Sequence, residues 1–186
     1  MGFDKDKENA LSKQDKSKKQ SIDHGIKLLV DLLNSKMDFY TTSSCAGRIL
    51  LISNLEVNRK YNAEWFFISH DIVRFDDIKL CLAGIDDGDV DLKQESAIFH
   101  VCCRTLESAS ELIEMAKHIG FKRSGISTIS NKIMVEIVST ELVCAPVIKD
   151  GKIVVSDDYL RILVSEANKK MVKTKEKIER FTQQLL

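Results

Sequence analysis

The sequence predicts a single α+β domain: a mostly antiparallel or mixed sheet flanked by helices, ending in a long C-terminal helix, and not a Rossmann-type fold. Segments with a helical spacing of apolar residues alternate with pairs of β-rich segments, which favours antiparallel pairing over a doubly wound parallel sheet. The glycine-rich phosphate motifs of nucleotide-binding α/β domains are absent. With 186 residues, 44% of them hydrophobic, the chain is long enough for one domain with a sizeable core.

The N-terminal residues 1–20 are predicted to form a flexible basic arm, and residues 21–186 the domain itself. The arm carries six Lys against four acids, a balance of +2, and few apolar residues. Ser21 is a potential cap for the first helix of the domain. Apolar residues at helical spacing follow it: Ile26, Leu29, Val30 and Leu33.

The next elements are short and β-rich. The runs 47–53 and 63–70 predict two strands, and a short helix is expected near 76–83. A further strand is expected over 97–104. Between the last two, the acidic stretch 86–91 is predicted to be an exposed loop.

The second half of the chain begins with a helix that Thr105 can cap and Gly120 can terminate. The segments 124–130 and 133–140 predict a hairpin, and 143–154 predicts edge-like strands around a proline. Together these segments extend the antiparallel sheet.

The last helix is predicted to begin at Ser156 and to continue to the C-terminus. An apolar stripe follows one face of it: Leu160, Val164, Ala167, Met171, Thr174, Ile178, Phe181 and Leu185. At about 1.5 Å per residue such a helix is roughly 45 Å long. Packing along the body of the protein is favoured over a coiled-coil dimer.

Charge and cysteine content exclude several classes of protein. The 28 basic residues balance 28 acids, so no overall positive field attracts nucleic acid. The balance is nevertheless uneven, at −5 over residues 71–95 and +4 over 161–186. Five Cys without a C-x-x-C pair do not form a secreted disulfide framework. No apolar run approaches the roughly 18 residues of a membrane span, so a cytoplasmic protein is expected.

The densest polar cluster of the sequence covers residues 41–48. Small hydroxyl side chains and a glycine there would let backbone N–H groups approach an anion, and Arg48 adds a planar fork for phosphate or carboxylate. The alternative is a polar turn with an arginine at its edge. Cys45 is either a thiolate nucleophile or a buried, inert thiol.

Two histidines are candidates for a site. On a strand over 97–104, the period of two puts His100 on one face together with Arg104, while Cys103 faces the other way. His70 follows apolar neighbours at the end of an earlier strand. The alternative for each histidine is a hydrogen-bonded structural residue, which is the more common role of a single histidine. Because Cys102 and Cys103 face opposite sides, the cluster around His100 does not form a metal site, and no metal is expected.

The polar and aromatic segments together resemble the wybutosine-synthesising tRNA methyltransferase family, in order over nearly the whole chain. The segments that carry the resemblance are Phe39 to Ile49, Trp65 with Ser69 and His70, Phe99 to Val101 with Cys103 and Arg104, Gly120 to Lys122 with Ser124 to Ile126, Ser139 with Thr140, Pro146, Ala167 to Met171, and Arg180 with Phe181. The most specific of them is the run Thr-Thr-Ser-Ser-Cys-Ala-Gly-Arg that ends at Arg48.

The resemblance implies transfer of a methyl group from S-adenosylmethionine to ring nitrogen 4 of a tricyclic guanine derivative. That base lies next to the anticodon of phenylalanine tRNA and already carries an aminocarboxypropyl chain. A compact fold without a Rossmann domain also belongs to what the resemblance implies. The chain departs from the family at Val138 and Lys122, where the family has arginines, so substrate binding is where a difference is expected.

Methyl transfer assigns expected roles to the candidate residues. His100 or His70 is the hypothetical base. Candidates for binding cofactor or substrate are Ser43, Ser44, Cys45, Gly47, Arg48, Trp65, Ser69, Arg104, Ser124, Gly125, Ser139 and Thr140. Lys122 and Arg123 are the candidate contacts to the anticodon arm of the tRNA. The protein is expected to be a monomer or a weak homodimer.

Two other functions remain open at the level of the sequence. One is a thiol-dependent hydrolase that uses Cys45 with a histidine. The other is a non-catalytic RNA-binding module, which would bind tRNA without saturable affinity for S-adenosylmethionine.

Overall fold

The computed structural model describes residues 2–12, 23–53 and 64–186. Its α-helices are Phe3–Leu11 (α1), Lys27–Ser35 (α2), Phe75–Ala83 (α3), Leu106–Ile119 (α4) and Asp157–Leu185 (α5). Its strands are Phe39–Cys45 (β1), Arg48–Ser53 (β2), Trp65–Ser69 (β3), Val90–Glu95 (β4), Ile98–Cys103 (β5), Gly125–Thr128 (β6), Ile133–Val138 (β7), Val143–Lys149 (β8) and Lys152–Ile153 (β9). None of these helices combines the length and the apolarity needed to cross a membrane.

The strands form two sheets, and every pairing in them is antiparallel. The first sheet has the order β1-β5-β7-β6, and the second has the order β3-β2-β4-β8-β9. The predicted α+β class, the absence of a Rossmann-type sheet and the long C-terminal helix are confirmed.

The chain divides into two compact units. The first unit comprises Met1–Ala46, Ala97–Thr140 and Thr174–Leu186, and the second comprises Gly47–Ser96 and Glu141–Lys173. Each unit contains one of the two sheets and one cluster of buried apolar residues.

The core of the first unit lies between its sheet and helices α2, α4 and the end of α5. Phe99 of β5 contacts both Phe121 and Phe181, with ring centroids 6.1 and 6.5 Å apart, and the last two rings are 5.7 Å apart. All three rings are fully buried. Aromatic contacts of this kind contribute beyond the area that they bury.

The core of the second unit lies between its sheet, α3 and the first half of α5. Leu51 and Leu92 from neighbouring strands, Ile78 of α3 and Met171 of α5 are all fully buried within it. Every residue of the apolar stripe predicted along the last helix is buried, so that helix packs along the body as expected.

Local capping signals explain where two helices begin and end. The Thr105 hydroxyl accepts a hydrogen bond from the Ser108 amide. The Ser108 hydroxyl in turn accepts one from the Thr105 amide, so the two residues form a capping box. Gly120 ends the same helix with a φ of 121°. Ser156 accepts a hydrogen bond from the Tyr159 amide at the start of α5.

The structure corrects the sequence prediction in two charged segments, the basic N-terminal segment 1–20 and the acidic segment 86–91. A helix occupies Phe3–Leu11, where a flexible arm was predicted, because Phe3 packs on Tyr40 with ring centroids 5.2 Å apart. Residues 13–20 and the predicted cap Ser21 lie outside the described residues. Within 86–91, Asp91 is buried in β4 and not part of an exposed loop, because it pairs with Pro146 of β8.

Candidate functional site

Polar side chains from three neighbouring strands meet on the outward face of the first sheet. Ser43 of β1 lies opposite His100 of β5, which lies opposite Glu136 of β7. The Ser43 hydroxyl oxygen is 2.8 Å from Nδ1 of His100, and Nε2 of the same ring is 3.1 Å from Oε2 of Glu136. Ser43 is exposed, and the other two side chains are half-buried. The three side chains form a hydrogen-bonded row that solvent can reach.

A bulge in β1 brings Ser43 to this position. The pairing with β5 includes Tyr40 and Thr41 and resumes at Ser43, so Thr42 has no partner across the ladder. One inserted residue reverses the alternation of faces, which puts Ser43 on the same side as Tyr40. The Thr42 hydroxyl donates to the His100 carbonyl at 3.3 Å, which holds the inserted residue against β5.

The hydrogen bonds of this row determine the chemistry of His100. Because an ionised Glu136 only accepts, a neutral His100 ring donates Nε2–H to it and keeps a lone pair on Nδ1 for the Ser43 hydroxyl. The same carboxylate stabilises the imidazolium that forms when the ring takes up a proton. His100 can therefore act as a general base whose orientation and tautomer Glu136 fixes.

Of this row, Ser43 and His100 are predicted from the sequence, whereas Glu136 is not. The alternation in β7 was a usable signal, because Glu136 lies between the buried residues Val135 and Ile137 and so faces outward. What alternation could not supply was the pairing of β7 with β5 in the register that sets Glu136 opposite His100.

The predicted anion-binding turn over 41–48 is mostly a strand. Residues up to Cys45 belong to β1 and pair with β5, so their backbone is part of the sheet and does not form a phosphate cradle. Ser44 lies opposite Phe99 of the core, and Cys45 lies opposite Ile98 on the outward face. The Ala46 amide, which follows the strand, donates to a carboxylate oxygen of Asp23 at 3.1 Å. An acidic side chain of the protein itself thus occupies this donor.

In the second unit, Arg48 lies between an acid and an aromatic ring. Its Nε donates to Oε2 of Glu95 at 2.7 Å, and its guanidinium carbon lies 4.6 Å from the centroid of Trp65. Both the cation and the ring are predicted site residues, and the structure brings them together. Glu95 was not predicted, although its register position opposite Arg48 in β4 decides the contact.

Two further candidates of the second unit, Ser69 and His70, lie at the last position of β3 and directly after it. Nδ1–H of His70 donates to the Gly47 carbonyl at 2.8 Å, which fixes the tautomer of the ring. Ser69 forms a local turn, in which its hydroxyl bonds to the carbonyl of Asp71 and accepts from the amide of the same residue. These contacts hold the backbone between β3 and α3.

Two predicted serines of the first unit are buried and hydrogen-bonded. The Ser124 hydroxyl donates to the Phe121 carbonyl at 2.6 Å and accepts from the Val138 amide at 3.3 Å. The Ser139 hydroxyl accepts from Nζ of Lys177 at 2.7 Å. Lys177, on α5, was not predicted, because no pattern in the sequence connects it with Ser139.

Other predicted residues are spread over the surface of the first unit. Gly125 lies opposite Glu136, next to the row. Thr140 is exposed. Lys122 and Arg123 are also exposed and form no ion pair within the described ranges, so both are accessible to a phosphate.

Arg104 lies at the end of β5, where it is enclosed by three groups. Its Nε donates to Oδ1 of Asp38 at 3.0 Å, and its two terminal nitrogens contact the carboxylate of Asp4 on α1. The ring of Phe3 lies 4.4 Å from the guanidinium carbon. The hydrogen bonds with Asp4 raise the pKa of Arg104 above its usual value.

The cysteines of the described residues are all free thiols. Burial raises the pKa of the Cys103 thiol to about 12, so this side chain is not a thiolate at neutral pH. Cys45 is half-buried on the outward face of β1.

Comparison with protein families gives one match that spans this geometry. The model of the family described as methyltransferase TYW3 matches residues 5–186. The match therefore includes both sheets, the row on the first sheet and the whole of α5.

Individual relatives are similar over most of their length. A tRNA wybutosine-synthesizing protein 3 homolog of Homo sapiens is 41% identical over 96% of this chain and 70% of its own length. A tRNA(Phe) 7-((3-amino-3-carboxypropyl)-4-demethylwyosine(37)-N(4))-methyltransferase of Thermococcus sibiricus is 36% identical over 98% of this chain and 94% of its own length. Among solved structures, the PH1069 protein from Pyrococcus horikoshii is 34% identical with a TM-score of 0.92, and the match covers 100% of this chain and 96% of that one.

Proposed function

The chain belongs to the methyltransferase TYW3 family, and we propose that it transfers a methyl group from S-adenosylmethionine to phenylalanine tRNA. The target would be ring nitrogen 4 of the 7-aminocarboxypropyl-demethylwyosine base next to the anticodon. The observation that carries this proposal is the similarity to archaeal enzymes named for this reaction, which extends over nearly the full length of both chains. We further propose that the reaction takes place in the cytoplasm, where the tRNA is used.

When bound, S-adenosylmethionine supplies an electrophilic methyl group on a positively charged sulfur. The enzyme's main task is then to hold the acceptor nitrogen in line with that methyl group. The cofactor would supply the methyl group without the electrons of the S–C bond, which would stay on the sulfur, so the only group left for this chain to take up would be the proton of the acceptor nitrogen. The acceptor nitrogen loses its proton, and we assign that proton to His100.

The row on the first sheet suits this assignment. His100 presents Nδ1 to the Ser43 hydroxyl, 2.8 Å away, and is held from behind by Glu136. A proton from the nitrogen can reach the ring directly or through the Ser43 hydroxyl. The resulting imidazolium is stabilised by the Glu136 carboxylate.

The second unit offers a chemically matched pair for an amino-acid group. Arg48 and Glu95 carry opposite charges side by side, which complements the carboxylate and the ammonium group at the methionine end of the cofactor. The substrate's aminocarboxypropyl chain ends in the same two groups. The partly exposed ring of Trp65 adds an aromatic face for stacking.

The test begins with calorimetric titration of the protein with S-adenosylmethionine, followed by incubation with a precursor tRNA that lacks the final methyl group. We expect saturable cofactor binding and one methyl group incorporated per tRNA. RNA binding without cofactor binding would instead identify a non-catalytic RNA-binding module.

The role of the row is tested by His100→Gln, with His118→Gln as the matched control. His118 lies in the last turn of α4, is exposed, and is chemically the same residue outside the row. Loss of a general base lowers kcat by about 10²- to 10⁴-fold, with KM for the tRNA little changed. The control should stay within about twofold of the wild type. If His100→Gln also stays within a few-fold, His100 is not the base.

A further inference from the structure

The N-terminal helix α1 covers two cations at one end of the face that carries the Ser43–His100–Glu136 row. A cleft of about 200 Å³ lies there. Its lining consists of Phe3, Asp6, Tyr40, Cys102, Cys103, Arg104, Ile129, Asn131, Lys132 and Ile133. Phe3 and Asp6 of this lining belong to α1, so the body of the unit contributes two basic side chains, Arg104 and Lys132, and one aromatic ring, Tyr40. Such groups contact phosphates and bases of single-stranded RNA.

Each of the two cations is held by the body of the first unit on one side and by an α1 carboxylate on the other. Arg104 is fixed by Asp38 through Nε and by the Met37 carbonyl, which lies 3.0 Å from one terminal nitrogen. Its two terminal nitrogens contact the two oxygens of Asp4, at 2.5 and 3.2 Å. A planar guanidinium binds a phosphate in the same two-pronged way. Asp4 therefore occupies the position that a phosphate would take.

Lys132 shows the same arrangement. Its Nζ donates to the Tyr40 hydroxyl at 3.2 Å, a contact within the body of the unit, and lies 3.3 Å from Oδ2 of Asp6 on α1. The hydrogen bond with Tyr40 is the main cause that raises the pKa of Lys132, and this contact does not depend on α1. The side chain therefore remains a cation when α1 leaves. Both cations are thus oriented independently of the helix that covers them.

A small number of contacts attaches the helix: the Phe3 ring on Tyr40, the Lys7 ammonium on the Lys36 carbonyl, and Asp4 and Asp6 on the two cations. None of its residues is fully buried, and its N-terminus has no side-chain cap. A nine-residue helix is marginal in water on its own. The Asp4 side chain is 79% exposed, and exposed ion pairs of this kind contribute little free energy. A polyanion that offers several phosphates can replace such contacts.

We propose that α1 is an acidic strap over an RNA phosphate-binding site formed by Arg104 and Lys132, and that the backbone of the tRNA anticodon arm displaces it. The proposal rests on the proposed function for the identity of the RNA. It adds a binding site and a competitor within the same chain, and it explains how Arg104 can serve RNA although an acid of its own chain occupies it.

The test compares two variants that remove one negative charge each from the same helix. Asp4→Asn frees Arg104, whereas Glu8→Gln removes a charge that forms no ion pair in the described part of the chain. Binding of a synthetic anticodon stem–loop of phenylalanine tRNA is measured by fluorescence anisotropy over a range of salt concentrations, without cofactor.

We expect Asp4→Asn to bind the RNA about three- to tenfold more tightly than the wild type and Glu8→Gln to bind like the wild type. Because a freed cation releases a counterion on binding, the slope of log K against log salt should steepen by about 0.7 to 0.9 for Asp4→Asn. Adding Arg104→Gln should abolish both gains. Addition of RNA to the wild-type protein should speed hydrogen exchange in residues 3–11.

Equal RNA affinities and equal salt slopes for Asp4→Asn and Glu8→Gln would contradict the proposal that α1 is a strap. Slower hydrogen exchange in α1 when RNA is bound would contradict it as well. Failure of this inference can be told apart from failure of the proposed function, because the readout is RNA binding and not methyl transfer. A chain that binds RNA in the predicted pattern but transfers no methyl group refutes only the proposed function. A chain that methylates tRNA while both variants bind alike refutes only the strap.

Discussion

The two units are packed in the same way but differ in the polar groups on the outward faces of their sheets. Both cover one face of an antiparallel sheet with helices. The first sheet carries a hydrogen-bonded row in which His100 links Ser43 and Glu136 across three strands. The second carries a direct ion pair between Arg48 and Glu95. The row contains a group that can take up a proton, whereas the ion pair consists of fixed opposite charges, so the outward polar groups of the two units differ in chemistry.

The buried polar groups differ as well. In the first unit, Ser124 and Ser139 are buried and hydrogen-bonded. In the second unit, Gln94 is fully buried in β4, and neither its amide nitrogen nor its oxygen has a partner among the described residues. A buried amide without partners weakens the fold, whereas a satisfied hydroxyl stabilises it.

The largest difference between the units is expected at two turn glycines, through Gly151→Ala and Gly120→Ala. Gly151 follows Asp150 in the two-residue turn between β8 and β9, with a φ of 69°, and a Cβ there would lie 2.3 Å from the Asp86 backbone oxygen. Gly120 has a φ of 121°, but its Cβ would meet the end of the Lys177 side chain, 2.9 Å away, which can move. We expect losses of about 2–4 kcal/mol for Gly151→Ala and about 1–2 kcal/mol for Gly120→Ala.

Urea denaturation measures both losses. The single tryptophan, Trp65, reports on the second unit by fluorescence, and far-UV circular dichroism reports on the whole chain. Gly25→Ala is the control, because φ is ordinary there and no atom lies within 4 Å of its Cβ. A loss at Gly120 equal to or larger than that at Gly151 would show that the Lys177 contact is as rigid as backbone.

The next effect in size has opposite signs in the two units. Gln94→Met replaces an unpartnered amide by an apolar side chain of similar length, and we expect it to stabilise the protein by about 1–2 kcal/mol. Ser124→Ala removes a satisfied hydroxyl and leaves the Phe121 carbonyl without this donor, so a loss of about 1 kcal/mol is expected. The same urea titrations measure the change in unfolding free energy of both variants. If Gln94→Met destabilises the protein, the amide has a partner in solution.

The elements predicted correctly from the sequence are those whose signals are local. The cap at Thr105, the stop at Gly120 and the apolar stripe of α5 depend on residues within a few turns of one another, and all three are confirmed. Strand alternation likewise predicts that His100 and Cys103 lie on opposite faces, and Cys103 is in the core while His100 faces outward. The spacing of residue types along the chain is enough to predict these features, because each lies within a single helix or strand.

The parts that were missed depend on contacts between distant segments. The segment around Thr42 was read as a turn because it is rich in small polar residues, yet pairing with β5 makes it a strand. The helix α1 has little apolar surface and is held by Phe3 on Tyr40 and by its acids on distant cations. Glu136 enters the row through the register of β7. The amino-acid composition of a single segment does not indicate which distant segment it pairs with, so these contacts could not be predicted.

The smallest effect concerns two carboxyl groups, the exposed Asp4 in the first unit and the half-buried Asp89 in the second. Hydrogen bonds with Arg104 lower the pKa of Asp4 below its usual value. The pKa of Asp89 is lowered first by Lys149 and then by a hydrogen bond from the Asp150 amide. We expect Arg104→Gln to return the pKa of Asp4 close to its usual value, and Lys149→Gln to return that of Asp89 only in part, because the backbone donor remains.

Carboxyl carbon shifts followed by NMR over pH 2 to 6 measure both titrations. Because each pKa is lower in the folded than in the unfolded protein, each group stabilises the fold above the unfolded pKa, and this contribution is lost as the pH falls through the folded value. The stability lost on acidification should therefore shrink in Arg104→Gln and shrink less in Lys149→Gln. Full recovery of the Asp89 pKa in Lys149→Gln would mean that the Asp150 amide contributes nothing, and that side-chain ion pairs alone set the acid response of both units.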